Sequence, residues 1–289
     1  MALAFNPRIK GAAVARSAAT RPTRSTNARL NVRVAEYMRK HWPGKTVAVN
    51  GWGMDFSDPK TAGALAAMSG SADSIIDVTD GAGAQGEGAR RRLIAGLRCA
   101  FGTVGGPQVE PPQHWSRDRW FLPTARRQCE HLAALYADGG RACEYFFHIL
   151  ANPGDDISFH VAGKAMRDPA APWPRHLHGT LEELYGIGKR AVLEAFAELI
   201  VEAENAYLRH LPVLRSGTIS LEPLVSAEAG PPVYVTRRLN ARQRGEYFTS
   251  LERIARSLKR LAPEIPHRER VGKILTCIHN AMADVRQAG

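Results

Sequence analysis

The stretch 45–79, KTVAVNGWGMDFSDPKTAGALAAMSGSADSIIDVT, decides the fold class. Its two ends, Lys45–Asn50 and Ser74–Thr79, are short apolar runs with β-branched residues, the composition of buried strands. Between them Asp58 and Pro59 supply an N-cap and a first-turn proline, and Gly70 follows Ser69 as a stop. The two runs start 29 residues apart. Strand, helix and strand in that length make a βαβ unit, whose strands are parallel. The reading is an α/β fold.

Outward from this unit, a helix is expected over 30–41, stopped by Pro43 and Gly44. Downstream, Leu93, Ile94, Leu97 and Phe101 share one helical face, which predicts a helix over 88–101 that stops at Gly102, followed by a third strand over 103–109. A loop rich in Pro and Trp runs to Pro123, and Thr124 caps a helix to Ala137, ended by Gly139 and Gly140. Residues 142–149 (ACEYFFHI) fit either a fourth strand or a buried helix. From Asp155 the character turns helical. Helices are expected over 155–166 and 180–210, the second with Leu181, Leu184, Phe196, Leu199, Ile200, Ala203 and Tyr207 facing inward. After an extended piece at 218–221, two helices carry the stripes Tyr247, Leu251, Ile254, Leu258, Leu261 and Val271, Ile274, Leu275, Ile278, Met282, Val285, spaced for helix–helix packing. The expected domains are a disordered basic tail at 1–29, an α/β domain at 30–168 and a helical domain at 169–289.

The bulk composition is that of a globular protein: 289 residues, 44% hydrophobic and 23% charged. No apolar run approaches the roughly 18 residues of a membrane span, which argues against a membrane partner. The opening residues lack a secretory core, so cytoplasm is the expected compartment. Cys99, Cys129, Cys143 and Cys277 form no C-x-x-C pair and read as reduced core residues. The net charge of +11 is uneven: Arg8, Lys10, Arg16, Arg21, Arg24, Arg29 and Arg33 precede the first acid, Glu36, and leave only four net charges for the rest. That tail has no aromatic residue after Phe5 for base stacking, which argues against nucleic acid as a partner. An Arg-rich, acid-free start is also the composition of an organelle transit peptide. The histidines show no ligand spacing, so neither a structural zinc nor a cofactor is expected.

In parallel α/β sheets functional groups collect where strands end and loops begin. That rule selects three places. After the first strand come Trp52 and Asp55; an aromatic face beside a carboxylate suits a sugar ring, although a Trp also packs against its own loop. After the second come Asp77, Asp80 and the run 81–88, which lacks both the G-x-G-x-x-G fingerprint and the Walker lysine. Paired carboxylates are the working parts of glycoside hydrolysis, while Asp at such positions also caps helices. After the third, Glu110, His114, Arg117, Asp118 and Arg119 lie between and beside Trp115 and Trp120 in a loop of residue types that suit a polar or anionic ring; the same set also forms a lid with arginines stacked on tryptophans. Glu144, inside an apolar segment, is either the acid/base at a strand end or the buried partner of an arginine such as Arg141.

The order of Asn50-Gly51-Trp52 at a strand end, a further strand, Glu144-Tyr145-Phe146, Asn152-Pro153 with Asp155, Leu184-Tyr185-Gly186, and a helix with Glu202-Ala203-Glu204-Asn205-Ala206-Tyr207 resembles the back half of bacterial glycosidase-like proteins of the alpha-glucuronidase type. The resemblance implies a (β/α)8 barrel followed by a helical C-terminal domain, and here a partial (β/α) barrel-like parallel sheet, since only three or four strands are read where a barrel needs eight. A truncated member, an open half-barrel that forms a homodimer, and no barrel at all stay open. It places Glu144 where a late barrel strand ends. The functional expectation is a carbohydrate-active protein: a glycoside hydrolase with Asp77, Asp80 and Glu144 as carboxylates and Trp52, Asp55, Glu110, His114, Trp115 and Arg117 binding a carbohydrate. The alternative is a non-catalytic carbohydrate-binding or assembly protein.

Overall fold

The computed structural model describes residues 24–51, 54, 59–78, 88–104, 109–110, 120–144, 152–209, 219–220 and 239–287. The chain enters through α1 (Arg24–His41), which starts six residues inside the stretch expected to be a disordered tail; the rest of that tail lies outside the described residues. Gly44, at φ 86°, turns the chain after α1 into β1 (Ala48–Asn50). The expected βαβ unit follows as β1, α2 (Pro59–Ser69) and β2 (Ser74–Val78).

Next come α3 (Ala89–Ala95), β3 (Ala100–Val104), β4 (Val109–Glu110), α4 (Ala125–Ala137) and β5 (Ala142–Glu144). The helix expected over 88–101 therefore ends six residues early. Gly96 closes it, with its N–H on the carbonyls of Leu93 and Ile94. Phe101 belongs instead to β3, in register with Ile75. An apolar spacing of four and three reads as helix, yet a Gly followed by β-branched and aromatic residues allows a tight turn into a strand. Residues 142–144 take the strand alternative, and 145–151 lie outside the described residues.

Strands β1, β2, β3 and β5 form one sheet in that order, all parallel, with Asn50 beside Ile76, Val78 beside Thr103 and Val104 beside Glu144. Each strand adds on the same side of the previous one, so right-handed crossovers put α2, α3 and α4 on one face. The core agrees: Val49, Ile75 and Phe101 pack with Leu65 and Met68 of α2, Ile94 of α3 and Leu135 of α4. Asp73 ties the entry side together, accepting from the Val47 N–H at 2.8 Å and the Arg39 guanidinium at 2.9 Å. Strand β4 does not join this sheet. It pairs with β6 (Ile219–Ser220), Glu110 beside Ser220.

The elements described from residue 153 on, β6 apart, are helical: α5 (Pro153–Arg167), α6 (Trp173–Tyr185), α7 (Arg190–Leu208), α8 (Ala241–Leu261), a 3-10 turn (Ala262–Glu264) and α9 (Arg268–Gln287). The single helix expected over 180–210 is two helices. Gly186 sits at φ 68° and ends α6 in a left-handed cap, so the chain turns before α7. The stripes on α8 and α9 bury Leu251, Ile254, Leu258, Val271, Ile274 and Ile278 against one another and against α7. The same cluster includes Trp120, Leu122, Leu132, Ile157 and Val161, so α5 and the first turns of α4 pack with the helical part. Among the described residues no helix is long and apolar enough to cross a membrane. All four cysteines are free.

Helix α5 meets the 120–124 segment at van der Waals limit. A Cβ on Gly154 would lie 2.9 Å from the Leu122 nitrogen and 3.0 Å from its carbonyl carbon. Both are backbone atoms that cannot swing aside. Gly154→Ala is expected to lower stability by about 1–3 kcal/mol, read as a shift in urea midpoint with an unchanged slope.

Candidate functional site

The parallel sheet has one carboxyl edge. Its strands run the same way, so Asn50, Val78, Val104 and Glu144 end together on the carboxyl side. The first loop leaves this edge tightly. Gly51 donates to the Ile76 carbonyl at 2.8 Å, the Met54 N–H returns to the Gly51 carbonyl at 2.9 Å, and Met54 is buried. A side chain at Gly51 would overlap Val78, so only glycine allows β1 and β2 to approach here. Asn31 of α1 donates to the Asn50 carbonyl at 3.0 Å and holds the same strand end from outside.

Asp77 lies in β2 and Glu144 in β5, each at the carboxyl end of its strand and separated by β3. Glu110 follows the third strand, as expected, and lies in β4, which pairs with β6 and not with the four-stranded sheet. The side chains of these three, and residues Trp52, Asp55, Asp80, His114, Trp115 and Arg117 altogether, lie outside the described residues. Trp120, which the sequence put in the aromatic loop cluster, is a core residue. It is 1% exposed, its ring nitrogen donates to Asp284 at 2.8 Å, and its carbonyl accepts from Asn152 at 2.8 Å.

A second feature had no place among the sequence candidates. Glu204, near the carboxyl end of α7, is 1% exposed, and its two oxygens accept the backbone N–H groups of Arg126 and Arg127 at 3.0 and 2.9 Å. These N–H groups belong to the first turn of α4, whose N-cap residue Thr124 makes no side-chain cap bond. Glu204 thus caps α4 from another helix. Burial pushes its carboxyl up to about 7, and the two N–H bonds with the charge of Arg127 only partly offset this. Asp155, in the first turn of α5, is likewise raised to about 7 by burial. One signal for Glu204 was available: it stands four residues after Ile200, on the apolar stripe of α7, where an acid needs a partner.

The described surface also holds a groove of about 390 Å³ between α6, α7 and α8. Trp173 lines it, with the Arg126 guanidinium 5.6 Å from its ring centre. Glu198, Asn205 and Ser250 line the groove, and Glu202 forms an ion pair with Arg253 at 2.6 Å across it. Among the described residues no three His, Cys, Asp or Glu side chains come together as metal ligands do.

No protein-family model, curated protein or solved structure matches the chain.

Because Glu204 holds its proton more tightly folded than unfolded, its ordinary value being 4.5, folding stability is greatest below that value and falls as pH rises through about 7. Asp155 acts in the same direction from its ordinary 3.8. Glu204→Gln is expected to flatten the stability profile across this window in urea titrations at several pH values. Glu204→Ala, which leaves two helix donors without their carboxylate, is expected to cost about 1–3 kcal/mol.

Proposed function

We propose that this chain is a carbohydrate-active protein that takes its ligand at the carboxyl edge of the parallel sheet. The supporting observation is the strand arrangement: four parallel strands added in sequence order, with Asp77 and Glu144 near the ends of β2 and β5. Sequential order without reversal is also how a (β/α) barrel grows, and we read the sheet as a sector of one. In such a sheet a ligand site forms at the rim where the strands end.

In this reading the reaction is hydrolysis of a glycosidic bond. One carboxyl protonates the leaving oxygen, and another carboxylate activates the water. Asp77 and Glu144 sit on strands two apart and two residues out of register, a backbone spacing of about 12 Å at about 4.8 Å per ladder and about 3.3 Å per residue. That spacing is nearer the inverting arrangement, ~6.5–9.5 Å between carboxyls, than the retaining one of ~5 Å. Asp80 is the third candidate carboxylate. Trp52 and Asp55 would hold a sugar ring from the first loop, and Glu110, His114, Trp115 and Arg117 from the segment around β4.

A second reading keeps the ligand and drops the chemistry. The groove at Trp173 favours it, because an aromatic face beside an amide, a hydroxyl and carboxylates is a non-reactive way to hold a sugar. A panel of aryl glycosides and oligosaccharides separates the two. Under the first reading Asp77→Asn and Glu144→Gln each lower turnover by about 100-fold or more, and ligand shifts in NMR persist. Turnover indifferent to both changes removes the carboxylate assignment. Saccharide binding without turnover, lost on Trp173→Ala in a variant with native circular dichroism, establishes the second.

A further inference from the structure

Helix α1 has two apolar stripes and uses one. Ala28 and Ala35 are buried, and with Val32 and Met38 they pack in the core of the sheet domain. On the other side Leu30, Val34 and Tyr37 are 61%, 49% and 55% exposed, and Trp42, just past the helix end, is 48% exposed. These four are the majority of the large exposed apolar side chains among the described residues; the others, Tyr136, Phe159 and Met166, lie on α4 and α5. The rings of Tyr37, His41 and Trp42 pack on one another, with Tyr37 4.2 Å from His41 and 5.9 Å from Trp42 between centres.

The spacing of the exposed stripe says what fits it. Leu30, Val34, Tyr37 and His41 follow a four-three-four step, which keeps them within about 60° of arc at about 100° per residue. A stripe so narrow is a coiled-coil seam; a helix that lies in a membrane surface exposes a wider apolar face. In heptad terms Leu30 and Tyr37 take d, Val34 and His41 take a, and Arg33 and Lys40 take the flanking g positions. Arg33 and Lys40 are exposed, with exposed Arg29 behind them on the same flank, and Glu36 is the one acid in α1. Arg39, on the packed side, is engaged by Asp73.

We propose that this seam docks an acidic amphipathic helix of another protein, with its apolar seam on Leu30, Val34 and Tyr37 and its carboxylates on Arg33 and Lys40. Charge sets aside two nearer occupants. A second copy of α1 laid antiparallel brings Arg33 and Lys40 against each other; laid parallel it offers Asn31 and Met38. Neither sets a carboxylate at the flanking positions, since Glu36 takes c. The chain before Glu36 contains no Asp or Glu, so it supplies none either.

The test uses the full chain and synthetic helices of about three heptads with Leu at a and d. One peptide carries Glu at e and g, the other Lys, and fluorescence anisotropy reads binding. The Glu peptide is expected to bind at least about tenfold tighter than the Lys peptide. Val34→Asp with Tyr37→Asp removes the preference by disrupting the seam. Arg33→Glu with Lys40→Glu inverts it, so that the Lys peptide binds better, an outcome that loss of folding does not produce. All these positions are exposed, so circular dichroism and the thermal midpoint stay as in the native chain. Equal binding of both peptides, indifference to the seam variants, comparable binding to phosphatidylserine vesicles or poly(U), or self-association of the chain through this face in sedimentation would each overturn the proposal.

Discussion

The carboxylate of Glu204 closes the amino end of α4, and much of the architecture hangs on that contact. A helix start presents donors that need acceptors, and Thr124 does not satisfy those of α4 with its side chain. Glu204 reaches them from α7, about eighty residues later in the chain. Helix α4 is also the crossover that delivers β5 to the sheet. The polar contact therefore joins the helical layer to the element that positions Glu144. An acid of this kind is costly to bury, and the gain is orientation: a carboxylate can satisfy two adjacent N–H groups only from one direction.

Around that contact the segment 120–124 acts as a strap between layers. Trp120 engages Asp284 of α9 and, through its carbonyl, Asn152 at the start of α5. Thr124 donates its N–H to Ser158, which donates in turn to the Gly154 carbonyl. These are buried polar groups with partners drawn from two helices, α5 and α9, and each has little alternative once water is excluded. Leu122 lies against Gly154 with no space for a methyl group. Close packing and directional bonds together join the C-terminal helices to α4 and, through it, to the sheet.

Much of the fold was legible in the residues, and less of the candidate site. The βαβ unit is written by two apolar runs around a capped helix, and its strands pair as expected. The stripes on α8 and α9 predicted their mutual burial because a 3.6-residue period is a local property. Two boundaries misled. Gly96 and Gly186 each end a helix that apolar spacing alone carries onward, because periodicity reports which face is apolar and not whether the backbone continues. Among the site residues, Asp77 and Glu144 reach the expected edge as backbone positions, while Glu110 lies on a separate two-stranded pair because its partner β6 comes from beyond α7. Trp120 looked like part of a binding loop because an indole suits a ligand as well as it suits a core.

By itself the sequence determined the local elements: period, caps and β-branched runs act over a few residues, and parallel strands follow from the length of a crossover. It also carried the uneven charge that leaves α1 cationic beside an exposed seam. Only the tertiary structure decided which polar groups are partners. Whether Glu204 is a surface acid or the cap of a distant helix depends on α7 arriving at α4. Whether Trp120 faces solvent or Asp284 depends on α9. Such pairings join residues 78 and 164 positions apart, and the burial that makes them necessary exists only after the layers have packed.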